Sequence, residues 1–190
     1  MDLFILSNDL EIIDLAKSFE LTAESQEVYY TNTGVVCVGE GLVNFLKMAS
    51  GKLPRQRCRI CFHNGPNAAV HEMLIAHHRS CYVRPHRHLR NSESLTVIEG
   101  TANMLLFDDV GNIINNLRLE EAGNNDPFFC HIPSNKWHSL IIESEWLIFK
   151  EVAQGPFDPA SSEFAPWSPP GNLRNDAPEY VDSLESLKPL

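Results

Sequence analysis

Between Arg57 and Val152 the chain is a succession of short aliphatic, β-branched and aromatic runs, each closed by turn-forming residues, and this punctuation constrains the fold most. The runs are Met73 to Arg84, Leu95 to Ile98, Ala102 to Phe107, Ile113 to Leu119, Phe128 to Ile132, Ser139 to Ile142 and Trp146 to Val152. Glu99-Gly100 and Asp108-Asp109-Val110-Gly111-Asn112 suit hairpin connections between them. Many short strands at this spacing predict an all-β sandwich or barrel, and the absence of an internal repeat predicts a single one.

The flanks read differently. Residues 8–20 and 39–50 carry helix-like apolar spacing, as in Leu42, Phe45, Leu46 and Ala49, while Val28 to Val38 reads as a strand with a turn at Asn32-Thr33-Gly34. Residues 1–54 are therefore expected to form a small α/β cap and 55–154 the barrel. Residues 155–190 are expected to form an extended Pro-rich arm: seven of the twelve prolines lie between Pro156 and Pro189, and no amphipathic period survives there. Phe157, Phe164, Trp167 and Tyr180 are too apolar for a solvated linker, so the arm is expected to pack on the barrel or on a second subunit.

Set into the strand-rich region is Pro85-His86-Arg87-His88-Leu89-Arg90-Asn91-Ser92-Glu93. Residues two apart on an extended chain project to one face, so His86 and His88 point together, and Glu93 opens the next apolar run as a third ligand. His138 follows a turn at Pro133-Ser134-Asn135, which carries its imidazole back to the same side. Three imidazoles and one carboxylate suit a first-row transition ion (Fe, Mn, Ni, Zn, Co or Cu) and suit Ca²⁺ or Mg²⁺ poorly, because those ions want oxygen alone. Four protein ligands leave about two positions of a six-coordinate ion open for water or a substrate oxygen.

His86-x-His88-x4-Glu93-x6-Gly100 resembles the first cupin motif, and Pro133-x-Asn135-x-x-His138 resembles the second. Asn135 stands where that family usually has Gly, and Asn tolerates the left-handed backbone better than most residues. A narrower resemblance runs through Arg57-Cys58-Arg59-Ile60-Cys61-Phe62-His63, His71-Glu72-Met73-Leu74-Ile75, Tyr82-Val83-Arg84-Pro85-His86-Arg87-His88, Gly155-Pro156-Phe157-Asp158 and Phe164-Ala165-Pro166-Trp167. These segments look like the bacterial WbuC-type cupin-fold metalloproteins. The resemblance implies a mainly β fold, a single double-stranded β-helix (an RmlC-like jelly-roll barrel), with one divalent metal and a link to bacterial surface polysaccharide biosynthesis. It implies no particular reaction, and cupins commonly dimerise, so a homodimer is expected.

Composition narrows the partners. A net charge of −10 argues against nucleic acid and against an anionic membrane surface, both of which need basic patches. Met1 to Asp9 lacks the positive and long apolar regions of a secretory signal, and five cysteines at irregular positions suit a reducing compartment, so the chain reads as cytoplasmic. Cys58-x-x-Cys61 lacks a second cysteine pair and reads as packing, with zinc or redox chemistry the less favoured alternative.

Candidate catalytic residues are Glu72, His77 and Tyr82. His63, His71, His77 and His78 gather near Glu72, but at most one of the adjacent His77 and His78 can enter a cavity; the facing of His131 is open. Arg57, Arg59, Arg79, Arg84 and Arg87 lie within thirty-one positions of an acidic chain. They read either as solvated strand faces or as an anion pocket, with Arg57, Arg59 and Arg84 the candidate substrate-binding residues. The expected activity is metal-dependent isomerisation or epimerisation of a small anionic or sugar-derived molecule. The alternatives are an Fe(II)/O₂ dioxygenase and a non-catalytic sugar- or metal-binding module.

Overall fold

The computed structural model describes residues 7–32 and 34–186. The reading of Met1 to Asp9 therefore lies almost wholly outside the described residues, as does Thr33 of the expected turn. Helix α1 (Ser7–Ser18) leads into strands β1 (Leu21–Ala23) and β2 (Val28–Thr31), and helix α2 (Glu40–Gly51) precedes β3 (Arg57–Cys61). There follow β4 (Val70–His78), β5 (His86–His88), β6 (Glu93–Glu99), β7 (Thr101–Phe107), β8 (Ile113–Glu120), β9 (Phe129–Ile132), β10 (Trp137–Ile142) and β11 (Trp146–Gln154). The C-terminal segment holds β12 (Ser162–Phe164) and helix α3 (Pro178–Glu185), with short 3₁₀ turns before each.

Two sheets face each other, one in the order β1-β2-β3-β4-β11-β6-β9 and the other β12-β5-β10-β7-β8. Within them the orders β4-β11-β6-β9 and β5-β10-β7-β8 are those of an eight-stranded jelly roll, the double-stranded β-helix, and all the pairings in both are antiparallel.

Strand alternation sorts the side chains into layers. Met73, Ile75, Leu95, Val97, Ala102, Met104, Leu140, Ile142, Leu147 and Phe149 fill the space between the sheets. Leu74, Ala76, Cys58, Ile60 and Ile148 point the other way and pack under α2 and α1 with Phe45 and Leu46. The outer face of the second sheet, Leu105, Phe107, Trp137 and Ile141, is covered by Ala165, Trp167 and Leu184 of the C-terminal segment. The outer faces are thus covered in part, β3, β4 and β11 by the N-terminal helices and β7 and β10 by C-terminal residues of the same chain.

Gly100 turns the chain from one sheet to the other. Its φ is +91°, and a Cβ there would lie 2.2 Å from the carbonyl oxygen of Trp146, so only glycine fits.

Three local expectations differ from the structure. The strand expected to run on to Arg84 ends at His78, where the Cys81 N–H turns back to the His78 carbonyl at 2.9 Å. The strand expected over Val28 to Val38 ends at Thr31. The segment expected to lack any helical period contains α3, whose Val181 and Leu184 are buried.

Candidate metal centre

The register of β5 and β10 sets His86 opposite His138, and both strands direct their even-numbered residues into the barrel. Glu93 begins β6 in the facing sheet with Leu95 and Val97 on the same interior face. The turn that delivers His138 depends on Asn135, whose φ of 63° is the left-handed value expected for it. The Asn135 N–H donates to the His88 carbonyl at 2.6 Å, fastening the turn to the strand that carries the other two histidines.

His86, His88, Glu93 and His138 each offer a ligand atom, and these atoms all lie within 4.8 Å of one another. Nδ1 of His86 donates to the Arg84 carbonyl and Nδ1 of His138 to the Lys136 carbonyl, both at 2.9 Å, while Nδ1 of His88 lies 2.8 Å from Ser162 Oγ. A ring that donates from Nδ1 presents Nε2 as a lone pair when neutral.

Nε2 of His138 lies 2.8 Å from Glu93 Oε1, and Nε2 of His88 lies 3.2 Å from Glu93 Oε2. The His138 contact is close but not aligned as a hydrogen bond, since that buried nitrogen has no hydrogen-bond partner. A lone pair and a carboxylate oxygen at this distance repel unless a cation or a proton lies between them. The donor set therefore fits a transition-metal ion. Burial, then the neighbouring His138, pushes His86 down to about 3, so it is neutral and able to ligate. Burial alone would raise the Glu93 carboxyl, but its contacts with His138 and His88 outweigh that and hold it well below the usual range.

The four residues line a cavity of about 540 Å³ whose other walls include His77, Arg57, Arg59 and Glu151. That volume lies within the roughly 300–1,000 Å³ of small-molecule sites. His77 is the member of its pair that turns inward; its Nδ1 has no hydrogen-bond partner, and burial, then Arg57 and Arg59, lowers it to about 3. Arg55 at the rim is paired with Glu27 through Nε at 2.6 Å, and Arg57 reaches the same carboxylate at 3.7 Å. Arg59 makes no ion pair among the described residues.

Three candidates fall outside the cavity. Glu72 shares the outward face of β4 with Leu74 and pairs with Lys150. Tyr82 is buried beneath Ala177 and Val181 and donates to the Pro169 carbonyl at 3.1 Å. The Arg84 guanidinium is spent on the C-terminal segment, donating to Ser168 Oγ at 3.0 Å and to the Ala165 and Ser168 carbonyls at 3.2 and 3.1 Å. Cys58 and Cys61, three apart on β3, face opposite layers, and burial pushes their thiols up to about 12 and about 11, so they act as packing. His131 is exposed, with Nδ1 3.0 Å from Ser94 Oγ.

Glu151 was not singled out from the sequence. It sits on β11 opposite Leu95 and Met73, faces the barrel interior and lines the metal-site cavity. Burial, then the charge of Glu93, pushes its carboxyl up to about 8 against the opposing pull of Arg59 and His88. The signal lay in the alternation of Leu147, Phe149 and Glu151, which sets an acid at an interior position.

Residues 39–119 match a domain of unknown function (DUF6016). No curated protein matches the chain. Among solved structures, the chain is similar to one described as DMSP lyases RdDddP and RnDddQII, with 15% identity over 57% of this chain and 52% of that one, at a TM-score of 0.44. It is similar to KdgF from Halomonas sp., with 15% identity over 55% and 82% at 0.42. It is similar also to oxalate decarboxylase from Bacillus subtilis, with 20% identity over 50% of this chain at 0.42, and spans only 24% of that protein. At these identities the matches carry nothing about the reaction of this chain.

Proposed function

We propose that this chain is a metal-dependent enzyme that isomerises or epimerises a small, oxygen-rich anion inside the barrel. The observation that carries the reading is the placement of Glu151, a carboxyl outside the four-donor cluster, in the cavity which that cluster lines. His86, His88 and His138 through Nε2, and Glu93 through its carboxylate, hold one divalent transition ion. When bound, such an ion supplies Lewis-acid polarisation of a substrate oxygen.

Arg59 receives the substrate's carboxylate or phosphate, because its guanidinium is not committed to a carboxylate of the protein. Glu151, whose carboxyl is pushed up to about 8 in the metal-free fold by burial, then by the Glu93 charge, gives a proton to the substrate and recovers one as the general acid–base group. His77, neutral in the same cavity, is a second proton-handling group. The segments resembling WbuC-type proteins extend the proposal to sugar-derived anions of surface polysaccharide biosynthesis, and to a cytoplasmic homodimer without nucleic-acid or membrane partners.

Metal analysis of the purified protein, followed by proton NMR in D₂O of sugar acids and sugar phosphates under anaerobic conditions, tests the reading. Stoichiometric transition metal is expected, lost in His86→Ala, together with metal-dependent deuterium incorporation that is lost in Glu151→Gln. Arg59→Ala is expected to raise KM by at least tenfold with kcat less affected. Metal retained in His86→Ala overturns the ligand assignment. In a parallel aerobic assay, consumption of O₂ coupled to turnover overturns the isomerase in favour of an oxygenase, and bound metal without turnover in either assay leaves a binding module.

A further inference from the structure

The partners of the three converging histidines differ in kind. The Arg84 and Lys136 carbonyls can only accept, so they fix the proton of His86 and His138 on Nδ1. His88 instead faces a hydroxyl, Ser162 Oγ at 2.8 Å, and a hydroxyl donates or accepts. If Oγ accepts, Nε2 of His88 keeps its lone pair for an ion. If Oγ donates to a neutral ring, the ring proton sits on Nε2 and the nitrogen cannot ligate.

Ser162 is held where this matters. It belongs to β12, 74 residues from His88, and pairs directly with it, as Phe164 pairs with His86. The flanking bonds are short: the Leu89 N–H donates to the Ser161 carbonyl at 2.7 Å and the Ala165 N–H to the Pro85 carbonyl at 2.8 Å. Arg87 donates to Glu163 through Nε at 2.9 Å on the other face of the same pair of strands. The 3₁₀ turn ahead of β12 is capped by Asp158, whose Oδ1 accepts from the Ala160 N–H at 3.0 Å. Residues Phe157, Asp158, Ser161 and Ser162 also wall a second cavity of about 340 Å³ that His88 and Glu93 line as well.

We propose that the C-terminal segment is built into the metal centre, with Ser162 as the positioning residue that holds His88 as its Nδ1–H tautomer and aims Nε2 at the ion. This inference rests on the metal-binding reading of the four-residue cluster.

The test titrates Co²⁺ and Zn²⁺ into the chelator-stripped full-length chain and its Ser162→Ala, Ser162→Thr and Glu163→Ala variants. Circular dichroism and melting of the stripped proteins control for folding. Ser162→Ala is expected to melt close to the wild type, to weaken the affinity for both ions by about 10- to 100-fold, and to shift the visible absorption of bound Co²⁺. Ser162→Thr, which keeps the hydroxyl, is expected to restore most of the affinity and the spectrum. Wild-type affinity and spectrum in Ser162→Ala overturn the proposal and leave the metal site standing. An equal loss in Glu163→Ala, or no rescue by Thr, assigns the effect to strand docking and also overturns it. A wild type that takes up neither ion overturns the metal-binding reading itself.

Discussion

Glu151→Gln should make the metal-free protein more stable in alkali. In the unfolded chain this carboxyl titrates near its ordinary value of 4.5, whereas in the fold burial and the Glu93 charge push it up to about 8. Between those values the unfolded chain has released the proton and the native state still holds it, so the unfolded state binds fewer protons and stability falls as pH rises. The contribution is fully present below pH 4.5 and is lost by about pH 8. The slope is about 1.4 kcal/mol per pH unit, and over this window the ceiling is on the order of 5 kcal/mol.

Urea unfolding of both proteins in the presence of chelator, from pH 5 to pH 8, measures the difference directly. Taking the difference matters because His86 and His77, both lowered to about 3, contribute with the opposite sign: their stabilisation is present above the unfolded value of 6.5 and is lost towards their folded values. These histidine contributions are common to wild type and variant and largely cancel. The gap should widen in favour of Glu151→Gln by at least 2 kcal/mol across the range, well below the ceiling because water reaching the cavity screens the charge. Parallel curves would refute the reasoning: they would mean that Glu151 is ionised in the fold at neutral pH and cannot be the proton donor.

Gly100→Ala should cost about 3 kcal/mol in urea unfolding, because the residue holds φ +91° and its Cβ would meet the Trp146 carbonyl oxygen at 2.2 Å. A loss under 1 kcal/mol would show that the sheet-to-sheet turn relaxes freely. Ending the chain at Gly155 uncovers Leu105, Phe107, Trp137 and Ile141, each worth about 1.5–3 kcal/mol when buried. The truncated protein should aggregate or melt at least 10 °C lower by differential scanning fluorimetry. Unchanged melting and solubility would show that the C-terminal segment contributes nothing to the barrel.

The sequence carried the parts of the site whose chemistry follows from residue type and a strand's period of two. His86, His88 and Glu93 are legible because few other uses join two imidazoles on one face to a carboxylate opening the next strand. The same parity rule could have chosen among the catalytic candidates. Met73, Ile75 and His77 must face one way on β4, so Glu72 faces the other, and an inward Glu72 excludes an inward His77. Parity is silent on Tyr82 and Arg84, because they lie between the end of β4 at His78 and the start of β5 at His86. The C-terminal segment was illegible for another reason. It covers the second sheet with single residues drawn from separate places, Ala165, Trp167 and Leu184, and its helix has only eight residues, about two turns, which a run of prolines precedes in the sequence. Ser162 lies 74 positions from the ligand it touches and carries no pattern of its own, so only the pairing of β12 with β5 joins it to the metal centre. What a strand's alternation encodes is which face a residue takes; which distant strand closes over that face is decided by packing.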